Sequence, residues 1–452
     1  MTKNDSPYLI DASGFCGEAD RVLIPADEAA LISILREATQ SDTPITIAGA
    51  GTGVTGGRVA QGGWAVSLEK FTSLKIHEGR AQVGAGVALK DLHAAAARTG
   101  QFYPPDPTET WASMGGTIAN NASGARSFRY GDTRRHVLRL RVILANGRIL
   151  DVGRGDTIDF SVPALPLPDT TKHTAGYALQ PDMEWVDLFT GSEGTLGVIV
   201  AAEVRLLPSP ETLLAGVVFF GSDEDCLAAV ESWRGVKQLR MLEYFDQPSL
   251  SLLRARYPEI PAASGAALLF EQEGDAELDV WPDRLERAGA MLDASWFATG
   301  AADRERFRVF RHALPESVNA IVQSHGCLKM GSDYAVPPAR NREMLAYYRQ
   351  RLEAEFAGQY AIFGHIGDAH VHVNILPRNE VESERAKTLM LDFARRAVEL
   401  GGTVSAEHGL GKWKRHLLEL QYSAEEIQSM REVKTRLDPQ WLLGRGNLFL
   451  RE

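Results

Sequence analysis

The stretch GHIGDAHVHVN, residues 364–374, places His365, His370 and His372 within eight residues, and SAEHGLG, residues 405–411, adds a glycine-flanked Glu407-His408 pair. His370, His372 and Asn374 alternate, so on a strand they share one face. His365 precedes a Gly367-Asp368 turn that could fold it back onto His372. Two imidazoles with a carboxylate such as Glu407 suit Zn²⁺ or a similar divalent ion, with positions left for a substrate hydroxyl. One such histidine would read as an incidental polar residue. Three beside a Glu-His pair read as a site, with His312 a further member to consider.

Cations come from a second stretch. DRERFRVFRHALPES, residues 303–317, carries Arg304, Arg306, Arg308 and Arg311 at helical spacing. Such a run is ordinarily a solvated face with salt bridges, yet a guanidinium fork also matches a carboxylate bidentately. Lys412 and Lys414 read as surface charges.

A third stretch, TIAGAGTGVTGG at residues 46–57, contains Gly51-x-Gly53-x-x-Gly56. A dinucleotide fingerprint requires a helix directly after these glycines. Only RVAQGG separates Gly57 from the next strand, WAVSL, so there is no crossover helix and Glu69 has no ribose to meet. A glycine loop between strands still binds phosphate through its backbone N–H groups. Two more Gly-rich segments follow: residues 103–132, too long for a plain connection, and TGSEGTLGVI at 190–199.

The ordered set AGAGTGVTGG, YPPDPTE…MGGTIANNASG and GSEGTLGVI resembles the FAD-binding (PCMH-type) domain of the vanillyl-alcohol oxidase superfamily. With the C-terminal histidine motifs, the chain is similar to the branch containing D-lactate, D-2-hydroxyglutarate and glycolate dehydrogenases, from about residue 20 onward. The resemblance implies that Ala48, Gly49, Gly51, Thr52, Gly53, Val54, Thr55 and Gly56 wrap the FAD pyrophosphate. Pro105, Asp106, Met114, Gly115, Gly116, Ala119, Asn121, Ser123 and Gly124 would line the isoalloxazine and phosphates. Glu193, Gly194, Gly197, Val198 and Ile199 would join from the third segment, and Asn447 from LDPQWLLGRGNLF, which stands where relatives have an Asn-Pro-Gly-Lys run. Some relatives attach flavin through a histidine in the first loop. None is present here, so non-covalent FAD is implied.

The same resemblance implies metal ligands His365, His372 and Glu407, with Zn²⁺ the first choice and Mn²⁺ or Fe²⁺ as alternatives. It makes His408 the catalytic base and Arg311 the carboxylate-binding arginine. Asn374 is a further catalytic-site candidate. Lys329 is a weaker substrate contact, because Gly331 stands where relatives have lysine. His370 replaces a family asparagine, as an extra ligand, a substrate contact or a neutral replacement. The implied reaction oxidises a D-2-hydroxy acid to the 2-oxo acid. Hydride passes to flavin N5 and the hydroxyl proton to His408, whose ordinary pKa suits a base near neutrality. The rival readings are a non-redox enzyme like alkylglycerone-phosphate synthase and a non-catalytic FAD subunit of a larger oxidase complex.

These side chains need a scaffold. Strand and helix signals alternate: a helix over 27–38 capped by Asp27, strands at PITIA, WAVSL and AQVGAGVAL, a helix ending at Gly100, and a hairpin turning at Asn146-Gly147. Pro208 and Pro210 mark a boundary. Beyond it, strands and helices alternate in βαβ–βαβ style, including a mostly helical stretch over 277–292 with Pro282 bending or starting it. The expected fold class is α+β: a two-subdomain FAD-binding domain over 1–210, a ferredoxin-like α+β substrate cap over 211–400, and a C-terminal helical segment over 401–452 that completes the site.

The chain has 452 residues, a net charge of −11 and three scattered cysteines. No basic surplus points to nucleic acid, and no disulfide framework is expected. The N-terminal sequence lacks secretory and transit features, and no apolar run is long enough to span a bilayer. A cytoplasmic protein is expected, with peripheral membrane attachment left open. Expected partners are a small 2-hydroxy acid and an electron acceptor, with oxygen, quinone, cytochrome or an electron-transfer flavoprotein open. A homodimer is also left open.

Overall fold

The computed structural model describes residues 7–274 and 280–451. Asp27 accepts the Ala30 N–H at 2.9 Å and starts the helix Glu28–Gln40. The cap satisfies an amide that has no partner within the helix. Leu31, Leu35 and Ala38 pack against Ile45, Trp64 and Val66 of a three-stranded parallel sheet, Arg21–Leu23, Trp64–Ser67 and Ile45–Ala48 in spatial order. The last two strands run parallel with no helix between them. The glycine loop over 49–63 makes the crossover alone, at about the dozen residues a parallel connection requires.

A five-stranded antiparallel sheet follows, ordered Leu74–His77, Arg80–Gly84, Val198–Arg205, Val137–Ile143 and Ile149–Gly153. The hairpin turns where expected, with Gly147 at φ +81°, a conformation that glycine adopts freely. Residues 190–208 give one strand to Arg205 and then a short pair, Leu207–Pro208 with Gln101–Phe102. The long 103–132 segment is not a bare loop: it holds the short helices Met114–Ala119 and Ser127–Tyr130.

The second half builds a seven-stranded antiparallel sheet. Its first four strands in sequence, Leu213–Phe220, Leu239–Asp246, Ala266–Glu273 and Trp296–Ala298, lie in spatial order four-one-three-two. That is the split βαβ arrangement of ferredoxin-like folds. Side chains alternate between two cores, as strand geometry requires. Phe220, Leu242 and Phe270 meet the helices Asp223–Trp233 and Trp281–Arg287, while Phe219, Phe245 and Leu269 meet Gln247–Leu253 and Ala301–Ser324. Cover on both faces explains why Leu239–Asp246 is buried throughout. Pro282 sits in the first turn of its helix. Residues 277–279 of the expected helix lie outside the described residues.

Three more strands extend this sheet: Tyr360–Gly364, His372–Ile375 and Met330–Gly331. They carry the histidine motif. The chain end returns to the first sheet, where the Ile45 N–H donates to Leu442 O (2.8 Å) and the Gly444 N–H to Ile45 O (2.9 Å). Among the described residues, no helix is long and apolar enough to cross a membrane.

Candidate active site

A cavity of about 1190 Å³ runs from the first glycine loop to the histidine motif. It exceeds the roughly 300–1,000 Å³ of an ordinary small-molecule pocket, so it has room for a cofactor and a substrate together. Its wall includes Ala48, Gly49, Gly51, Thr52, Gly53, Val54 and Thr55, then Gly115, Gly116, Ala119 and Ser123, then Glu193, Gly194, Gly197, Val198 and Ile199. At Gly194 (φ +70°) an added Cβ would meet nothing within 4 Å. The wall there is bare backbone facing open space, which fits a dinucleotide whose phosphates approach N–H groups closely.

Gly56, Pro105, Asp106, Met114, Asn121, Gly124 and Asn447 stand behind this wall. The Gly56 N–H donates to Asp11 Oδ2 at 2.8 Å. The Arg126 N–H donates to Asp106 Oδ1 at 3.0 Å. A Cβ on Gly124 would lie 2.2 Å from Asp106 O, so only glycine permits that approach. Asn121 donates to Asp132 Oδ2 (2.7 Å) and accepts from the Arg134 N–H (2.9 Å). Asn447 donates to Gly57 O (3.0 Å) and Glu193 O (2.9 Å), joining the first and third loops. Glu193 in turn accepts the N–H groups of Leu410 (2.8 Å) and Gly411 (2.7 Å). Burial raises its carboxyl to about 7 despite those two bonds.

In the same cavity, His365 and His372 face one oxygen of Glu407. Each Nε2 lies 3.3 Å from Glu407 Oε1. Each Nδ1 is engaged elsewhere: His365 donates to Glu243 Oε1 at 2.6 Å, and His372 to Ser332 O at 3.0 Å. Fixing the proton on Nδ1 turns the Nε2 lone pair toward the shared point, as metal-binding histidines require. Ligand atoms of His365, His370, His372 and Glu407 all lie within 4.8 Å of one another. The donor set fits a divalent ion of the zinc type. Burial opposes charge on His365, but Glu243 and Glu407 outweigh it and push its pKa up to about 9, and a bound cation would replace that proton.

His370 is fully buried off the cavity, with Nε2 3.2 Å from Asp333 Oδ1. Burial lowers it to about 3, so it is neutral. His408 lines the cavity, its ring stacked on His372 at 5.5 Å between centroids. Burial, only partly offset by Asp333 and Glu407, lowers it to about 4. It is therefore in the proton-accepting form near neutrality. Asp333 holds the turn beneath it, accepting the His408 N–H (2.9 Å) and the Ser405 hydroxyl (2.8 Å).

The arginine run divides as side-chain geometry dictates. Arg306 and Arg308 form exposed ion pairs with Glu259 and Glu305, and Arg304 bonds Thr299 O. Arg311 alone enters the cavity, where its Nε donates to Glu243 Oε2 at 2.6 Å. Glu243 thus orients Arg311 with one oxygen and His365 with the other. Lys329 and Asn374 also reach the wall, as does His312. A Cβ on Gly331 would lie 3.5 Å from Asn374 Oδ1 and 3.7 Å from Lys329 Cε, so the Lys329 stem occupies the space beside that glycine.

Lys412 and Lys414 are not surface charges. Lys412 is buried, donating to Asn447 Oδ1 (2.8 Å) and Gly57 O (3.2 Å). Lys414 lines the cavity, and burial lowers its pKa. Sequence reasoning also missed Glu243, Lys172 and Asp11. Glu243 sits in a strand that reads as core, and Lys172 in a segment with no motif. Their roles show only once the chain is folded, when the strand holding Glu243 pairs beside His365.

Known proteins bear on the whole chain. The family description "FAD binding domain" matches residues 19–153, and "FAD linked oxidases, C-terminal domain" matches residues 209–448. The chain is 31% identical over 447 residues to the glycolate oxidase subunit GlcD of Bacillus subtilis, covering 96% of this chain and 89% of that one. It is 33% identical over 441 residues to a D-lactate dehydrogenase of Archaeoglobus fulgidus, covering 94% and 90%. It is 28% identical over 448 residues to a D-2-hydroxyglutarate dehydrogenase of Xanthomonas citri pv. viticola, covering 95% and 89%. A solved alkyldihydroxyacetonephosphate synthase shares the fold, with a TM-score of 0.69 at 15% identity over 94% of this chain and 76% of that one.

Proposed function

The chain belongs to the family of FAD-linked oxidases, and from that premise we propose that it oxidises a D-2-hydroxy acid to the 2-oxo acid with the help of a divalent ion. The observation that carries this reading is the shared approach of the His365 and His372 Nε2 atoms to Glu407 Oε1, on the same cavity wall as neutral His408. Bound FAD would supply the two-electron acceptor, and a bound ion the Lewis acidity that eases removal of a hydroxyl proton.

The chain's own residues supply the rest. His408 accepts the hydroxyl proton, and Asp333, at 3.5 Å from its Nδ1, stabilises the charge that results. Arg311 turns its terminal nitrogens to the substrate carboxylate, because Glu243 already holds its Nε. His365, His372 and Glu407 hold the ion. The loops around Gly51, Gly116 and Gly194 hold the flavin without a covalent bond. Placing substrate and flavin in one cavity replaces an encounter in solution with a fixed geometry.

A panel of D- and L-2-hydroxy acids, including lactate, 2-hydroxyglutarate and glycolate, added anaerobically to the FAD- and ion-loaded protein tests the proposal. Bleaching of the flavin by at least one D-acid or glycolate, and not by the L-acids, is expected. A flavin that stays oxidised with every acid would overturn it and favour a non-redox use of the fold.

A further inference from the structure

Glu407 has two carboxylate oxygens, and the structure treats them differently. Oε1 lies 3.3 Å from both His365 Nε2 and His372 Nε2. Oε2 faces away from the imidazoles, 3.2 Å from Lys172 Nζ and 3.3 Å from the Ser123 hydroxyl. The Lys172 side chain is wholly buried, and its ammonium is also 3.4 Å from Asp368 Oδ2. Asp368 is itself buried, with no other hydrogen-bond partner for either oxygen among the described residues. A buried ammonium is retained only where carboxylates surround it, and here they fix its position between Asp368 and Glu407. Lys172 lies far from the histidine motif in sequence, and no motif marks it.

We infer that Lys172 is a positioning residue that reserves Glu407 Oε2 for itself and so presents Glu407 to a bound divalent ion through Oε1 alone. The inference rests on reading the His365, His372 and Glu407 cluster as an ion site. Without the ammonium, Oε2 keeps only one neutral donor, and the carboxylate turns freely between one-oxygen and two-oxygen ligation. A ligand that must be ordered at the moment of binding binds more weakly, and the ion's coordination number becomes variable.

Lys172→Met alone would leave Asp368 buried without a counter-charge and risks misfolding. The informative variant is therefore Lys172→Met with Asp368→Asn, which keeps the net charge of the cluster. Each protein is purified with FAD bound, stripped of metal and titrated with Co²⁺, following heat release and the visible absorption of the ion. The double variant is expected to retain FAD, to bind Co²⁺ about 10–100-fold more weakly, and to show a changed Co²⁺ spectrum. Lys172→Arg is expected to keep both close to the parent. Parental affinity and spectrum in the double variant would overturn the inference. No Co²⁺ binding to the parent would instead overturn the ion-site reading beneath it. A crystal structure of the parent loaded with FAD and Co²⁺ gives a test that depends on no variant: Glu407 ligating through Oε1 with Lys172 on Oε2 is expected, and ligation through both oxygens would overturn the inference.

Discussion

His408 and Arg311 owe their proposed roles to the acids beside them. Asp333 accepts the His408 backbone N–H and faces its ring, while Glu243 ties Arg311 to His365. The neutral imidazole of His408 is the form that accepts a proton. Replacing it by asparagine removes the base while leaving the flavin loops untouched. His408→Asn is expected to retain FAD and to reduce it with substrate about 10²–10⁴-fold more slowly, read by stopped-flow absorbance. An unchanged reduction rate would remove His408 from the chemistry. The clustering of histidines was legible in the sequence, because three within eight residues and a glycine-flanked Glu-His pair announce themselves by type and spacing; the shared strand face was not, since the strand begins at His372 and His370 is buried off the cavity. Lys172 and Glu243 were not, because a charged residue inside a core strand or a loop is recognised only by what folds against it.

At the scale of elements, the ferredoxin-like sheet positions the site by growing. The strands Tyr360–Gly364 and His372–Ile375 add to its edge, and the turn between them brings His365 and His372 to 5.4 Å between ring centroids. Gly364 makes that turn feasible. It adopts φ +124°, and a Cβ there would come within 2.9 Å of His372 Cδ2. Gly364→Ala is expected to strain the backbone and push His372 aside, weakening ion binding about 10–100-fold and lowering the melting temperature. Parental ion affinity in that variant would show that the turn does not set the ligand position. The succession of strands and helices after Pro210 followed from their alternating signals, and the Asn146-Gly147 hairpin from its turn residues, but the four-one-three-two strand order came only from the structure. The joining of Met330–Gly331, Tyr360–Gly364 and His372–Ile375 to the same sheet did not, since pairing between distant strands leaves no local signature. The short helices within 103–132 were hidden by their brevity, by the glycines inside Met114–Ala119 and by the Gly, Asn and Ser between the two.

Across the whole molecule, the site is assembled from segments far apart in sequence, and polar contacts, some only partly buried, lock them together. His173 illustrates this. Its Nδ1 lies 2.8 Å from Thr403 Oγ1 and its Nε2 2.9 Å from the Tyr422 hydroxyl. Burial, with a contribution from Arg134, lowers its pKa to about 3, against about 6.5 for an unfolded chain. Between those values the unfolded chain binds a proton that the folded chain does not. Stability therefore falls as pH drops below about 6.5 and recovers as pH rises. By pH 4.5 this residue alone is expected to remove about 3 kcal/mol. His173→Gln should flatten the fall in melting temperature between pH 6.5 and 4.5, and an identical slope in parent and variant would assign the acid sensitivity elsewhere.

The same assembly lines one cavity with the glycine loops and the histidine–glutamate cluster, which meet where the Ser123 hydroxyl donates to Glu407 Oε2 at 3.3 Å, and in the proposed reaction each is needed by the other. Flavin reduction by a reactive D-2-hydroxy acid, measured anaerobically in FAD-loaded protein stripped of divalent ions and again after an ion is restored, tests this most directly. Little bleaching is expected without the ion, with full bleaching by dithionite as the control and return of substrate-driven bleaching on adding Zn²⁺, Mn²⁺ or Co²⁺. Bleaching by the acid at an undiminished rate in the stripped protein would contradict it.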